Sequence, residues 1–166
     1  MGAGKTTIGR QLANILGREF KDSDHEIVRR TGASIPLIFD IEGEEGFRRR
    51  EREVIDDLSA EKNLVLATGG GAVLADENRR HLKERGTVIY LYASIDQLLK
   101  RTARDRNRPL LQTADPRAKI EELMRIRDPL YRDAADMVLY TDDRSVRSVV
   151  KEIILRLEEQ AAGIGP

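Results

Sequence analysis

The sequence predicts an α/β fold, a three-layer α/β/α sandwich around a central parallel sheet, and three observations carry that prediction. Short apolar runs with the look of buried strands alternate with segments of helical periodicity from end to end. A glycine-rich stretch, Gly2-Ala3-Gly4-Lys5-Thr6-Thr7, leads straight into an amphipathic segment. No repeat, low-complexity tract or Pro/Gly/Ser linker divides the 166 residues, and 40% hydrophobic with 35% charged side chains is the mixture of one domain spanning 1–166.

The first helix is expected to begin near Lys5, with Ile8, Leu12, Ile15 and Leu16 on its buried face and Gly17 as its stop. A short strand follows near Glu19 to Lys21. Helical stretches run through Glu26 to Arg30, Ile35 to Ile41 and Glu44 to Leu58. Leu64-Val65-Leu66-Ala67 is a brief apolar run stopped by Gly69-Gly70-Gly71, the form of a buried parallel strand. Val88 to Tyr92 and Met137 to Tyr140 are further strands, with helices filling the gaps. The last helix, Ser145 to Glu159, carries Val149, Val150, Ile153, Ile154 and Leu157 on one face. Residues 104–116 are rich in charge and turn formers and poor in apolar periodicity, which reads as a mobile surface loop and a candidate lid.

Composition excludes several chemistries. No cysteine is present, so disulfides, thiol nucleophiles and thiolate metal sites are ruled out. With 29 basic and 29 acidic side chains there is no overall field to favour nucleic acid or an anionic membrane. No run of about 18 apolar residues and no signal-peptide pattern is found, so the cytoplasm is the expected compartment. Arginine dominates the basic residues, and its planar fork grips carboxylate and phosphate in two-point contacts, so a small anionic ligand is expected. His25 and His81 lack metal-ligand spacing and are expected at the surface; Tyr90 and Tyr92 are expected to serve sheet packing.

Gly2 to Thr7 is the latter half of a phosphate-binding P-loop. Its glycines let successive backbone N–H groups face phosphate oxygens, the helix start adds its positive dipole end, Lys5 bridges the outer phosphates and the Thr6 hydroxyl ligates Mg²⁺. The full pattern has an earlier glycine and a buried strand, and both are expected to lie ahead of Met1. Asp22-Ser23-Asp24 falls where the strand near residue 20 ends. Two acids two apart in a strand end share a face, so that one can reach Mg²⁺ through water while the other orients a substrate hydroxyl. On spacing alone, Asp24 ahead of a helical run reads more readily as a helix cap, and Arg48-Arg49-Arg50 as a solvated basic face.

Six motifs together resemble the shikimate kinases, P-loop kinases of the nucleoside-monophosphate-kinase-like group. They are Gly2-Ala3-Gly4-Lys5-Thr6-Thr7, Asp22-Ser23-Asp24, Gly43-Glu44-Glu45-Gly46-Phe47-Arg48, Thr68-Gly69-Gly70-Gly71, Arg108-Pro109-Leu110-Leu111 and Arg127-Asp128-Pro129-Leu130-Tyr131. The resemblance implies a P-loop kinase fold with an arginine-bearing lid and ATP-dependent phosphorylation of the 3-hydroxyl of shikimate, a step of aromatic amino acid biosynthesis. It implies Mg²⁺ held by Thr6 and, through water, by Asp22. It makes Asp24 the acid that holds the substrate hydroxyls and the proposed base, and it gives Arg48 and Arg127 the shikimate carboxylate. Gly69, Gly70 and Gly71 would line the substrate, Arg108 would close over the transferring phosphate, and Arg101 and Arg144 would lie near the adenine. Lys5, Asp24 and Arg108 are the expected catalytic set, ATP/ADP and shikimate the expected partners, and a monomer the expected state. Two rivals stay open at this point: another small-molecule kinase, acting on gluconate or a nucleoside monophosphate, and an inactive nucleotide-binding remnant.

Overall fold

The computed structural model describes residues 2–103 and 109–163. In chain order it runs α1 (Lys5–Leu16), β1 (Glu19–Asp22), α2 (Ser23–Thr31), α3 (Ile35–Ala60), β2 (Leu64–Ala67), α4 (Asp76–Arg85), β3 (Ile89–Tyr92), α5 (Ile95–Thr102), α6 (Pro116–Ala134), β4 (Met137–Tyr140) and α7 (Val146–Ala161). Single 3₁₀ turns at Ala72–Leu74 and Pro109–Leu111 complete the assignment.

The strands are parallel, as their apolar, helix-separated runs predict. β1 pairs with β2 from Glu19↔Leu64 to Asp22↔Ala67, and β3 pairs with β4 from Ile89↔Met137 to Tyr92↔Tyr140. Among the described residues the ladder hydrogen bonds join two pairs instead of one continuous sheet. The chain ahead of α1 lies between the carboxyl ends of these pairs. Ala3 lines a cavity with Thr68 and Gly69 beyond β2 and Ala93 beyond β3, and the Gly2 carbonyl accepts from Arg101, which also reaches Thr141 beyond β4.

Ile8 and Leu12 of α1 pack with Met137 and Leu139 of β4 and with Val149, Val150 and Ile153 of α7. Burying an aliphatic side chain of this size contributes roughly 1.5 to 3 kcal/mol, so this cluster alone ties the phosphate-loop helix firmly to the β3–β4 half. Ile15, which spacing places on the same face, is 54% exposed; Ala13 takes the buried position beside Leu12 instead.

Helix boundaries follow the local chemistry. Gly17 ends α1 in the left-handed region with its N–H on Ala13 and Asn14 carbonyls, and Ser34, Ser94 and Ser145 cap α3, α5 and α7 with their side chains. The two stretches expected at 35–41 and 44–58 are two helical runs within α3 that meet at a break at Gly43, whose non-helical φ of 69° and ψ of −178° suit glycine alone.

The expected loop at 104–116 is only partly covered, since residues 104–108, including Arg108, lie outside the described residues. Its latter part is anchored instead of free. Leu111 is buried with Ile120 and Leu123 of α6, because Leu110 and Leu111 bring apolar surface that a run read for charge and turns conceals. His81 is likewise not a plain surface residue: its ring is mostly covered and Nδ1 stands 3.2 Å from Asp56 Oδ1.

Candidate active site

The loop before α1 has the geometry of an anion cradle. Gly2 (φ 62°) and Gly4 (φ 88°) both occupy the left-handed region, which turns successive N–H groups toward one side. The helix that follows has no capping side chain and no acid in its first turn, so its positive end is left for a ligand. Arg101 braces the entry, its Nη1 bonding the Gly2 carbonyl at 3.2 Å and the Thr141 hydroxyl at 3.3 Å. Arg144 is tied to α7, 2.6 Å from Glu152 Oε2 and 3.0 Å from the Ser148 hydroxyl.

Thr6 and Asp22 meet across the gap between α1 and β1, where the Thr6 hydroxyl donates to Asp22 Oδ2 at 3.4 Å. A hydroxyl and a carboxylate oxygen side by side, next to a phosphate cradle, suit a hard cation that completes its shell with water and phosphate oxygens. No cluster of three or more His, Cys, Asp or Glu able to hold a metal occurs among the described residues.

Asp22 and Asp24 do not share a strand face. Asp22 ends β1 and caps α2, accepting from the N–H groups of Asp24 and His25 at 2.9 and 3.2 Å, while Asp24 lies inside the first helical turn. The helix begins one residue after β1, so the cap belongs to Asp22 and Asp24 is carried toward the Gly69-Gly70-Gly71 turn. A Cβ on Gly69 would stand 2.7 Å from Asp24 Oδ1 and 2.9 Å from Glu51 Oε2, so only a glycine lets the turn lie against both acids. At Gly71 a Cβ would meet the Arg48 guanidinium at 2.2 Å.

Arg48 bonds Glu51 Oε1 at 2.8 Å and reaches Glu44 at 3.3 Å. Glu51 is 1% exposed, and burial pushes its carboxyl above the usual range against the pull of Arg48. Arg48 Nε and Glu51 Oε2 are buried without a hydrogen-bond partner, which marks the pocket as polar and incompletely satisfied. Arg127, from α6, is 5% exposed and forms no ion pair with a carboxylate among the described residues. A buried guanidinium in that position favours an anion from outside.

The phosphate loop and the glycine turn approach each other, since Ala3 and Lys5 line one cavity with Thr68, Gly69, Gly70 and Tyr131. The acids and arginines gather around Glu51, whose carboxyl feels Arg48, Asp24 and Arg127 together. Three participants escape the sequence reading: Ser23, Glu51 and Tyr131. Glu51 stands three residues after Arg48, a helical pairing distance that could have drawn attention to it. Ser23 and Tyr131 lie inside two of the six motifs but carry no role there, because each touches the glycine turn from a distant part of the chain.

Comparison with known proteins gives a consistent picture. A family model described as shikimate kinase matches residues 1–158. A shikimate kinase of Pseudomonas savastanoi is 62% identical over 96% of this chain and 92% of its own length, and one of Methylococcus capsulatus is 60% identical over 96% and 89%. Among solved structures, shikimate kinase from Acinetobacter baumannii in complex with shikimate superposes with a TM-score of 0.95 at 53% identity, covering 96% of this chain and 89% of that one. The enzyme from Aquifex aeolicus gives 0.82 at 37% identity, covering 98% and 94%.

Proposed function

The chain belongs to the shikimate kinase family, and we propose that it transfers the γ-phosphoryl group of ATP to the 3-hydroxyl of shikimate, releasing shikimate 3-phosphate and ADP. The observation that carries this reading is the buried Arg127 guanidinium, which together with Arg48 and Asp24 lies within electrostatic reach of the buried Glu51 carboxyl. Two guanidinium forks select a planar carboxylate, and an acid facing them selects a hydroxyl on the same small molecule. Gluconate also carries an acid and hydroxyls but as an open chain, and a nucleoside monophosphate carries no carboxylate for the two forks to grip.

In the proposed reaction the loop N–H groups and Lys5 hold the phosphate tail, and Arg48 and Arg127 hold the acceptor by its carboxylate. Asp24 accepts a hydrogen bond from the 3-hydroxyl and orients that oxygen toward the γ-phosphorus. The new P–O bond forms as the bond to the β,γ-bridging oxygen breaks, ADP leaves with that electron pair, and the hydroxyl proton passes to the Asp24 carboxylate. Thr6 and, through water, Asp22 would hold Mg²⁺, which when bound neutralises charge between the β- and γ-phosphates. Arg108 is assigned to the transferring phosphate by resemblance alone, and Arg101 and Arg144 to the adenine side. No helix of the described residues is long and apolar enough to cross a membrane.

The test is ADP release, coupled to a second enzyme, with shikimate, gluconate and nucleoside monophosphates offered in turn. Turnover confined to shikimate is expected. Turnover of gluconate or a nucleotide without shikimate overturns the assignment, and a folded chain that shows no Mg·ATP binding by calorimetry makes it an inert remnant.

A further inference from the structure

The Gly69-Gly70-Gly71 turn has no side chains of its own to hold it. Glycine gives up more backbone freedom on ordering than any other residue, so three in a row depend on outside partners for a single shape. Among the described residues two side chains grip the turn. The fully buried Ser23 hydroxyl accepts from the Gly69 N–H at 3.0 Å, and the Tyr131 hydroxyl donates to the Gly70 carbonyl at 2.5 Å.

Each grip sits beside a group that the proposed reaction uses. Ser23 immediately precedes Asp24 on α2, and Tyr131 lies one helical turn beyond Arg127 on α6. Burial pushes the Tyr131 phenol above its usual range, while the neighbouring Arg127 guanidinium pulls the other way, so the hydroxyl stays a donor throughout the neutral range. A trans peptide points its C=O and N–H in opposite directions, so holding the Gly70 carbonyl also sets the direction of the Gly71 N–H. Gly71 is the position whose backbone the Arg48 guanidinium rests on.

We infer that Tyr131 is a positioning residue for the acceptor: its hydroxyl locks the Gly70–Gly71 peptide plane and keeps it in register with Arg127, so that turn and guanidinium meet the substrate in one arrangement. The inference deepens the acceptor site proposed above and rests on it. A packing role is the alternative, since the Tyr131 ring lies on the Tyr90 ring at a centroid distance of 4.8 Å. Tyr90 provides the control, because its hydroxyl bonds Asp128 Oδ1 at 2.8 Å and takes no part in the turn.

Tyr131→Phe removes the hydroxyl and keeps the ring. In the full chain at saturating Mg·ATP, the KM for shikimate is expected to rise about tenfold, the loss of one hydrogen bond to a charged or buried partner. The KM for ATP and kcat should stay within about twofold, and the melting temperature within a few degrees. Tyr90→Phe should leave the shikimate KM unchanged. An unaltered shikimate KM in Tyr131→Phe overturns the inference, as does an equal rise in Tyr90→Phe or a Tyr131→Phe chain that loses its fold. A parent chain that turns over another acceptor and no shikimate refutes the acceptor assignment itself, and the inference falls with it.

Discussion

The Thr6 hydroxyl stands 3.4 Å from Asp22 Oδ2, so the first turn of the phosphate-loop helix touches the end of the first strand. The other oxygen of the same carboxylate caps α2. One side chain therefore joins the expected cation site to the helix that carries Asp24, and a change at Asp22 reaches both.

Asp22→Asn separates these jobs, because asparagine caps a helix as well as aspartate does but brings no charge. The Mg²⁺ concentration needed for half-maximal rate should rise several-fold, with the melting temperature close to that of the parent chain. Rate against Mg²⁺, set beside a melting curve, measures both; an unchanged Mg²⁺ requirement removes Asp22 from the cation site.

Asp24→Asn keeps a hydrogen-bonding side chain against Gly69 but cannot take a proton. Turnover should fall by roughly 10²-fold or more, while calorimetry still registers Mg·ATP binding. Normal turnover would end the proposed role of Asp24.

Arg127→Lys keeps the positive charge and loses the fork. Two-point recognition of a carboxylate depends on that fork, so the KM for shikimate should rise by about tenfold or more with the KM for ATP unmoved. Steady-state kinetics in both substrates decides; equal damage to both would point to a disturbed fold.

Gly71→Ala places a methyl group where the Arg48 guanidinium now lies. The obstruction is the far end of a long side chain, which can swing away, and the φ of −90° at Gly71 is open to alanine. The cost therefore falls on ligand binding: shikimate affinity should drop about tenfold, with a melting temperature lowered by no more than a few degrees. A severe loss of stability with intact shikimate affinity would contradict this.

Glu26 is held down to about 2 by hydrogen bonds from Arg29 and then Arg30, against an ordinary value of 4.5. A depressed folded-state value means that the contribution is complete above about 4.5 and is lost as the pH falls toward 2. Melting temperatures recorded between pH 7 and 2 should therefore fall less steeply below 4.5 in Glu26→Gln than in the parent chain, from a lower starting point at neutral pH. Parallel curves would mean that the pair contributes nothing measurable.

Local chemistry wrote much of this protein in a form that can be read directly. The proposed P-loop could be named from sequence because the function it would serve lies in consecutive backbone N–H groups and a helix start, all within the span from Gly2 to Thr7. The strands at 64–67, 89–92 and 137–140 were legible because parallel strands covered on both faces are continuously apolar. Asp24, Arg48, Arg127 and the three glycines could be named as a set because the motifs that contain them resemble one family. Their meeting around a single turn could not be read, because it depends on contacts between elements far apart in the chain.

The sequence by itself determined the class of fold, the glycine-rich loop that opens α1 and the residue types from which the proposed phosphate and acceptor sites are built, since these follow from short-range periodicity and side-chain chemistry. Tertiary structure alone decided that Asp22 and not Asp24 caps α2, that Glu51 is buried against Arg48, and that Ser23 and Tyr131 hold the glycine turn. Those outcomes turn on burial and on hydrogen bonds between distant segments, where desolvation and packing decide which polar group finds which partner.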